Sequence, residues 1–156
     1  MNQPVKKALI VDDEESMRYV LSSQLSQLGY ECVAVSSGRD ALDQAAAQDF
    51  DLMMLDVKIP GMSGLEVLGK FRRDHPNTCA VMLSALVDAA IAAKAIKRGA
   101  DDYLPKPYHA IDLGKRLQRT HERRDLTLQS ERENWPLNEA TRERDIISEI
   151  TKDLVA

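Results

Sequence analysis

The sequence predicts an α/β protein built on a doubly wound parallel sheet with helices on both faces. Short apolar runs without polar alternation recur along the chain, and such runs are typical of strands buried on both faces of a parallel sheet. A segment with apolar residues three and four positions apart, the pattern of an amphipathic helix, follows the first run. Five strand–helix units in strict alternation favour a parallel sheet, and right-handed crossovers leave few topologies for it.

The predicted strands are short, and most of them end at a polar side chain. They cover residues 8–11, 30–35, 52–55, 79–83 and 103–104. The predicted helices follow them at residues 16–28, 39–48, 65–73, 89–98 and 110–124. Gly29 and Gly99 are placed to end the first and fourth helices, since glycine readily adopts the left-handed conformation that follows a helix.

Composition is that of a globular protein of one domain and a tail. The chain has 156 residues, of which 44% are hydrophobic and 29% charged. A net charge of −4 disfavours direct nucleic-acid binding, which needs a basic face. Cys32 and Cys79 lie far apart in apolar runs, so we expect buried free thiols rather than a disulfide or a metal site.

No stretch of the sequence predicts targeting to a membrane. The first residues lack the apolar run of a signal peptide, and no window approaches the length of a membrane span. We therefore expect a cytoplasmic protein without a membrane partner.

Polar residues cluster at the predicted carboxyl ends of the strands. Asp12 and Asp13 follow the first strand, Asp56 the third and Ser84 the fourth, and Lys106 follows the fifth. Doubly wound sheets bind ligands at this edge. Three carboxylates gathered there would repel one another, and Mg²⁺ is the hard cation that best relieves such repulsion.

These residue types suit phosphoryl transfer, which needs a nucleophile, a metal ion and fixed positive charge around the phosphoryl oxygens. Asp56 is the best candidate nucleophile because it stands alone at its strand end. At least one of Asp12 and Asp13 can hold the metal while the other supports it. Lys106 supplies the fixed charge, and Ser84 can donate a hydrogen bond to an oxyanion.

Four motifs in register give the chain a family resemblance between about residues 5 and 124. They are Leu9-Ile10-Val11-Asp12-Asp13-Glu14, then Leu55-Asp56 with Pro60-Gly61-Met62-Ser63-Gly64, then Ser84-Ala85, and finally Asp102-Tyr103-Leu104-Pro105-Lys106-Pro107. In this order they resemble the CheY-like receiver domains of two-component response regulators. The resemblance implies a flavodoxin-like (βα)5 fold with strand order 2-1-3-4-5.

The resemblance also implies a role for each site residue. Asp56 would be the phospho-acceptor, charged by a sensor histidine kinase. Asp13, Asp56 and the backbone carbonyl of Lys58 would ligate Mg²⁺, with Asp12 acting through water. Ser84 and Lys106 would bind the phosphoryl oxygens.

A conformational switch is implied as well. Tyr103 would turn inward as Ser84 moves toward the phosphate, and the surface of helix four, strand five and helix five would signal to partners. The Lys106–Pro107 peptide bond would be cis. Serine instead of threonine at position 84 is a mild departure from the family pattern, and Lys58 occupies a position that tunes dephosphorylation. Such a protein catalyses only its own phosphorylation and dephosphorylation.

Other interpretations remain open for these residues. The Asp12–Asp13 pair could cap helix one, and Tyr103 could be a half-buried aromatic at the sheet edge. The domain could be a pseudo-receiver scaffold, although such domains usually lack part of the acidic pair, the acceptor or the lysine. A phosphatase of the haloacid-dehalogenase type fits less well, because it needs an Asp-x-Asp motif at the first strand. His75, His109 and His121 are expected at the surface.

The tail differs from the rest of the chain. We expect residues 1–124 to form the receiver domain and residues 125–156 a helical linker or tail toward an output domain or effector. Ala140, Ile147, Ile150 and Leu154 fit a heptad-like seam on a helix over residues 141–155. Such a helix suits the N-terminal part of a larger regulator. A tail that folds back on its own domain, or forms a homodimer, is the alternative.

Overall fold

The computed structural model describes residues 5–85, 88–106, 110–134 and 137–155. Five parallel strands form one sheet of order β2-β1-β3-β4-β5, in which the strands are β1 (Lys6–Val11), β2 (Tyr30–Val35), β3 (Leu52–Asp56), β4 (Cys79–Ser84) and β5 (Asp102–Pro105). The helices in these ranges are α1 (Glu15–Gln27), α2 (Gly38–Ala47), α3 (Gly64–Asp74), α4 (Ala89–Lys97), α5 (Ala110–Asn134) and α6 (Leu137–Val155). The predicted fold class and strand order are confirmed.

The sheet separates two apolar clusters, because successive residues of a strand point to opposite faces. Leu9 of β1 and Met53 of β3 face one cluster, which also contains side chains of α2, α3, α4 and α6. Ile10 and Met54 face the other, which contains side chains of α1 and α5. Helices therefore cover both faces. Strands β3 and β4 are buried throughout and β1 over its last four residues, whereas the edge strand β2 is mostly only partly buried.

Local capping explains where several helices begin. Ser37 and Ser63 accept hydrogen bonds from the amides of Asp40 and Glu66 at the starts of α2 and α3. Asp88 accepts from two amides at the start of α4. Side-chain acceptors of this kind satisfy amides that have no partner within the helix. Most observed bounds lie within two residues of the predicted ones.

The last two helices depart most from expectation. Helix α5 continues to Asn134, ten residues past its predicted end at Arg124. The polar stretch 125–133 stays helical, and Thr127 within it is buried. Helix α6 packs against α5, a contact that the sequence alone does not show.

Helix α6 folds back on its own domain, the alternative to a free linker. It contacts α4, α5 and β5. Of the predicted seam, Ile150 is buried and Ile147 partly buried, and Ile146 is also buried. The side chains of Ala140 and Leu154 lie outside the described residues.

Three smaller expectations change. Cys79 is buried, but Cys32 is only partly buried. His121 is not a plain surface residue, because its Nε2 lies 2.9 Å from the hydroxyl of Tyr30. His75 is partly buried and stacks on Phe71.

Pro107 and His109 lie outside the described residues, and with them the predicted cis bond. In the ranges given above, no helix is both long and apolar enough to cross a membrane.

Candidate functional site

The ends of β1 and β3 bring three carboxylates together. Val11 pairs with Leu55 in the parallel register, so Asp12 and Asp56, the next residues on each chain, come out side by side. Asp13 lies beside them, and one carboxylate oxygen from each residue lies within 4.8 Å of the others. Asp12 and Asp56 are buried and Asp13 is exposed, so the cluster opens to solvent on the side of Asp13.

Lys106 joins this cluster from the end of β5. Its Nζ donates to Asp12 Oδ2 at 2.9 Å and to Asp56 Oδ2 at 3.1 Å. Its backbone amide donates to the carbonyl of Ser84 at 2.8 Å, which fixes the loop after β5 against the end of β4. The ammonium therefore bridges the two buried carboxylates.

Backbone amides hold each buried carboxylate in place. The amide of Lys58 donates to Asp56 Oδ1 at 3.1 Å, and the amide of Glu14 donates to Asp12 Oδ1 at 3.0 Å. Asp12 therefore does not cap α1: the N-cap position is Glu14, which makes no side-chain cap bond. Lys58 lies beside Asp56 as the metal prediction requires, while the role of its carbonyl stays a prediction.

Burial and charge act against each other at Asp56. Burial, the largest influence, raises the pKa of the Asp56 carboxyl above its ordinary value. Hydrogen bonds from Lys106 and Lys58 oppose that shift, and the nearby Asp12 adds to it. At Lys106 burial also disfavours the charge, but hydrogen bonds to Asp12 and Asp56 outweigh it and raise the pKa of the ammonium. Lys106 is therefore a firmly charged cation.

Ser84 and Tyr103 are buried on the neighbouring strands β4 and β5. Ser84 is 2% exposed and Tyr103 is fully buried, and their side chains are hydrogen-bonded to each other. Burial raises the pKa of the Tyr103 phenol, and the bond to Ser84 partly offsets this. Tyr103 thus lies on the edge strand β5, as the alternative interpretation expected, but it is fully buried rather than half-buried.

The donor set fits a hard divalent cation. Three carboxylates meet with one face open, and Mg²⁺ prefers oxygen ligands and keeps part of its water shell. Lys106 neutralises only part of this negative charge, since three carboxylates carry more charge than one ammonium. The remaining negative charge can attract a cation. The cluster can therefore hold Mg²⁺ next to Asp56.

Comparison with known proteins identifies the family of this chain. The family model described as the response regulator receiver domain matches residues 8–118. The chain belongs to that family. The DNA-binding transcriptional regulator NtrC of Klebsiella pneumoniae is 34% identical over 145 residues, which make up 91% of this chain and 29% of the relative. The chain therefore spans less than a third of that protein's length.

Solved receiver structures show the same architecture. The chemotaxis protein CheY4 of Vibrio cholerae is 33% identical, with a TM-score of 0.71 over 75% of this chain and 99% of that one. NtrX of Brucella abortus, solved in complex with ADP, is 30% identical, with a TM-score of 0.74 over 81% of this chain and 29% of that one. The receiver fold thus accounts for about three quarters of the chain.

Two features of this receiver escape the sequence patterns. Arg18 on α1 donates to the backbone carbonyl of Asp12 at 2.9 Å and so supports the turn that carries Asp12 and Asp13. The only hint of this contact in the sequence is the spacing of six residues between Asp12 and Arg18. Gly64 lies so close to the end of β3 that a Cβ there would fall 2.2 Å from the backbone oxygen of Asp56. The motif after Asp56 contains this glycine, but only the structure shows what it avoids.

Proposed function

We propose that the chain is a phosphorylation-dependent switch of a two-component system and that Asp56 accepts the phosphoryl group. The observation that carries the proposal is the bridge from Lys106 to Asp12 and Asp56, inside a cluster of three carboxylates that fits Mg²⁺. A sensor histidine kinase would be the donor. An output domain, an effector protein or a second copy of the chain would recognise the phosphorylated state.

Asp56 would act as the nucleophile. A carboxylate oxygen of Asp56 attacks phosphorus, and the bond from phosphorus to the leaving group breaks with its electron pair on that group. Lys106 and the amide of Lys58 favour the ionised form of Asp56 that this step requires. Asp56 Oδ2 is held by Lys106, so the attack leaves the ammonium beside the incoming phosphoryl oxygens.

The remaining residues would position the metal and the phosphoryl group. Asp13, Asp56 and the carbonyl of Lys58 would hold Mg²⁺, with Asp12 acting through water, and the bound ion would neutralise the developing charge. Ser84 is 2% exposed and would donate a hydrogen bond to a phosphoryl oxygen.

The signal would leave through α4, β5 and α5. Ser84 lies at the end of β4, and its hydrogen-bonding partner Tyr103 lies in β5. A shift of Ser84 toward the phosphoryl group therefore changes the surroundings of Tyr103 directly. We propose residues 1–124 as the receiver unit and residues 125–156 as its helical extension.

Acetyl phosphate with Mg²⁺ tests the proposal on the full chain. Intact mass should increase by one phosphoryl group, and the increase should disappear in Asp56→Asn. Asp43→Asn, which changes an exposed aspartate on α2, is the matched control and should be phosphorylated normally. A pseudo-receiver would show no mass gain with any of these proteins. A mass gain that persists in Asp56→Asn would place the acceptor elsewhere and overturn the assignment.

A further inference from the structure

The turn between β1 and α1 carries two carboxylates that are held very differently. The amide of Asp12 donates to the carbonyl of Val35 at 3.2 Å, and its side chain accepts hydrogen bonds from the amide of Glu14 and from Lys106. The side chain of Asp13 is exposed, and no hydrogen bond or ion pair joins it to another described residue. The direction in which Asp13 leaves the turn therefore depends on its backbone.

Arg18 holds this part of the backbone. From the start of α1 its guanidinium donates to the carbonyl oxygen of Asp12 at 2.9 Å. That oxygen belongs to the peptide between Asp12 and Asp13, and a peptide is planar, so the bond also fixes the orientation of the Asp13 amide. Glu14, at the N-cap of α1, makes no side-chain cap bond that could fix the turn instead.

We propose that Arg18 is a positioning residue for the metal: it fixes the peptide between Asp12 and Asp13 so that the exposed carboxylate of Asp13 is presented to the ion. This inference rests on the proposed function, in which Asp13 is a ligand of Mg²⁺. Arginine suits the task, because its guanidinium is planar and always charged, and a charged donor makes a stronger hydrogen bond.

The charge of Arg18 alone would act in the opposite direction. The guanidinium contacts the turn that carries two of the three carboxylates, and two cations repel each other. If Arg18 acted only as a nearby charge, its removal would strengthen Mg²⁺ binding. If it positions Asp13, its removal weakens the binding. The direction of the change in affinity therefore separates the two roles.

Backbone ¹⁵N relaxation of the metal-free full chain measures the positioning directly, because the Asp13 amide belongs to the peptide that Arg18 holds. In the unmodified chain we expect an order parameter of about 0.85 at this amide, the value of rigid backbone. In Arg18→Met it should fall below about 0.6, the range of flexible backbone. Arg18→Lys keeps a charged donor and should restore most of the order.

A titration with MgCl₂, followed by the amide shifts around Asp13 and Asp56, measures the effect on the metal. Partners that orient metal ligands typically change metal affinity by about 10–100-fold. Arg18 acts through the backbone rather than on a ligand atom, so we expect Arg18→Met to bind Mg²⁺ about tenfold more weakly, at the lower end of that range. Arg18→Lys should lie between Arg18→Met and the unmodified chain.

Arg39→Met is the matched control. It removes the same charge from an exposed position at the start of α2, a helix that also begins at the carboxyl edge of the sheet. It should change neither the order parameter of Asp13 nor the affinity for Mg²⁺. With acetyl phosphate, the rate of phosphorylation of Arg18→Met should recover at saturating Mg²⁺, because the ligands themselves are intact.

The outcomes separate this inference from the proposed function. Unchanged or tighter binding of Mg²⁺ by Arg18→Met would overturn the positioning role and leave the proposed function standing. A flexible Asp13 amide in the unmodified, metal-free chain would overturn it as well, and that result needs no variant that must fold. Absence of any Mg²⁺-dependent shift around Asp13 and Asp56 in the unmodified chain would overturn the proposed metal site and the role of Arg18 together.

Discussion

Replacing Lys106 with methionine tests the charge balance of the site. Methionine keeps most of the length of the side chain and removes its ammonium. Asp12 and Asp56 then lose the cation that contacts them at 2.9 and 3.1 Å, while Asp13 remains within 4.8 Å. We expect the variant to be markedly less stable than the unmodified chain in the absence of divalent cations.

The size of the effect follows from distance and burial. At an effective dielectric constant of about 20, unit charges about 3 Å apart attract by about 5 kcal/mol. The cost of burying the ammonium offsets part of this attraction, so removing one partner of a buried pair costs about 3–5 kcal/mol. The side chain of Lys106 is 16% exposed and that of Asp12 is 0% exposed. We therefore expect a loss near the lower end, about 3 kcal/mol.

Magnesium should restore much of this stability, because it supplies the missing positive charge. Binding at about 100 times the dissociation constant stabilises the folded state by about 2.7 kcal/mol. The gain should be larger in Lys106→Met than in the unmodified chain, where the ammonium repels the ion. Urea unfolding at pH 7, with EDTA or with MgCl₂, measures both values, and Lys70→Met at an exposed site on α3 is the control. An equal deficit in both buffers would refute the reasoning.

Four further substitutions have defined outcomes. Asp56→Asn should raise the free energy of unfolding in EDTA by about 1 kcal/mol at pH 7. Because burial raises the pKa of Asp56, this gain should vanish in acid and grow as the pH rises through that pKa. Urea titrations that show equal gains at all pH values would contradict the prediction. In thermal unfolding, Gly64→Ala should lower the stability of the chain by about 2 kcal/mol, since its Cβ would lie 2.2 Å from a backbone atom. Gly69→Ala, where the added Cβ meets open space, should raise the stability by about 1 kcal/mol. Similar changes in both variants would contradict the clash at Gly64. Arg116→Ala should lower the free energy of unfolding in urea by about 3–5 kcal/mol, because the carboxylate of Asp102, which is 1% exposed, loses the cation that pairs with it. A loss below about 1 kcal/mol would contradict this.

The site could be predicted because its residues stand at strand ends. Carboxyl ends of parallel strands meet at one edge, so the order of polar residues along the chain already places Asp12, Asp56, Ser84 and Lys106 together. The register confirms this neighbourhood: Asp56 pairs with Leu83, directly before Ser84, and Ser84 pairs with Pro105, directly before Lys106. No longer-range information was needed for this part.

The ion pairs at the other end of the sheet had no such signal. Arg116 donates twice to Asp102 from α5, and Arg72 donates to Asp101 from α3 across 29 positions of sequence. Neither pair has a helical or strand spacing, so periodicity cannot find it. The same holds for the packing of α6 against α4, α5 and β5.

These buried ion pairs hold β5 and α5 together more firmly than α6 is held. Asp102 immediately precedes Tyr103 and is held by Arg116 and Thr120 of α5, so β5 and α5 are joined by hydrogen bonds in a buried setting. Helix α6 is held differently, by a few isoleucines and by Glu149, which is 34% exposed. Exposed ion pairs are weak compared with buried ones. Urea should therefore detach α6 from the domain at lower concentrations than those that separate α5 from β5.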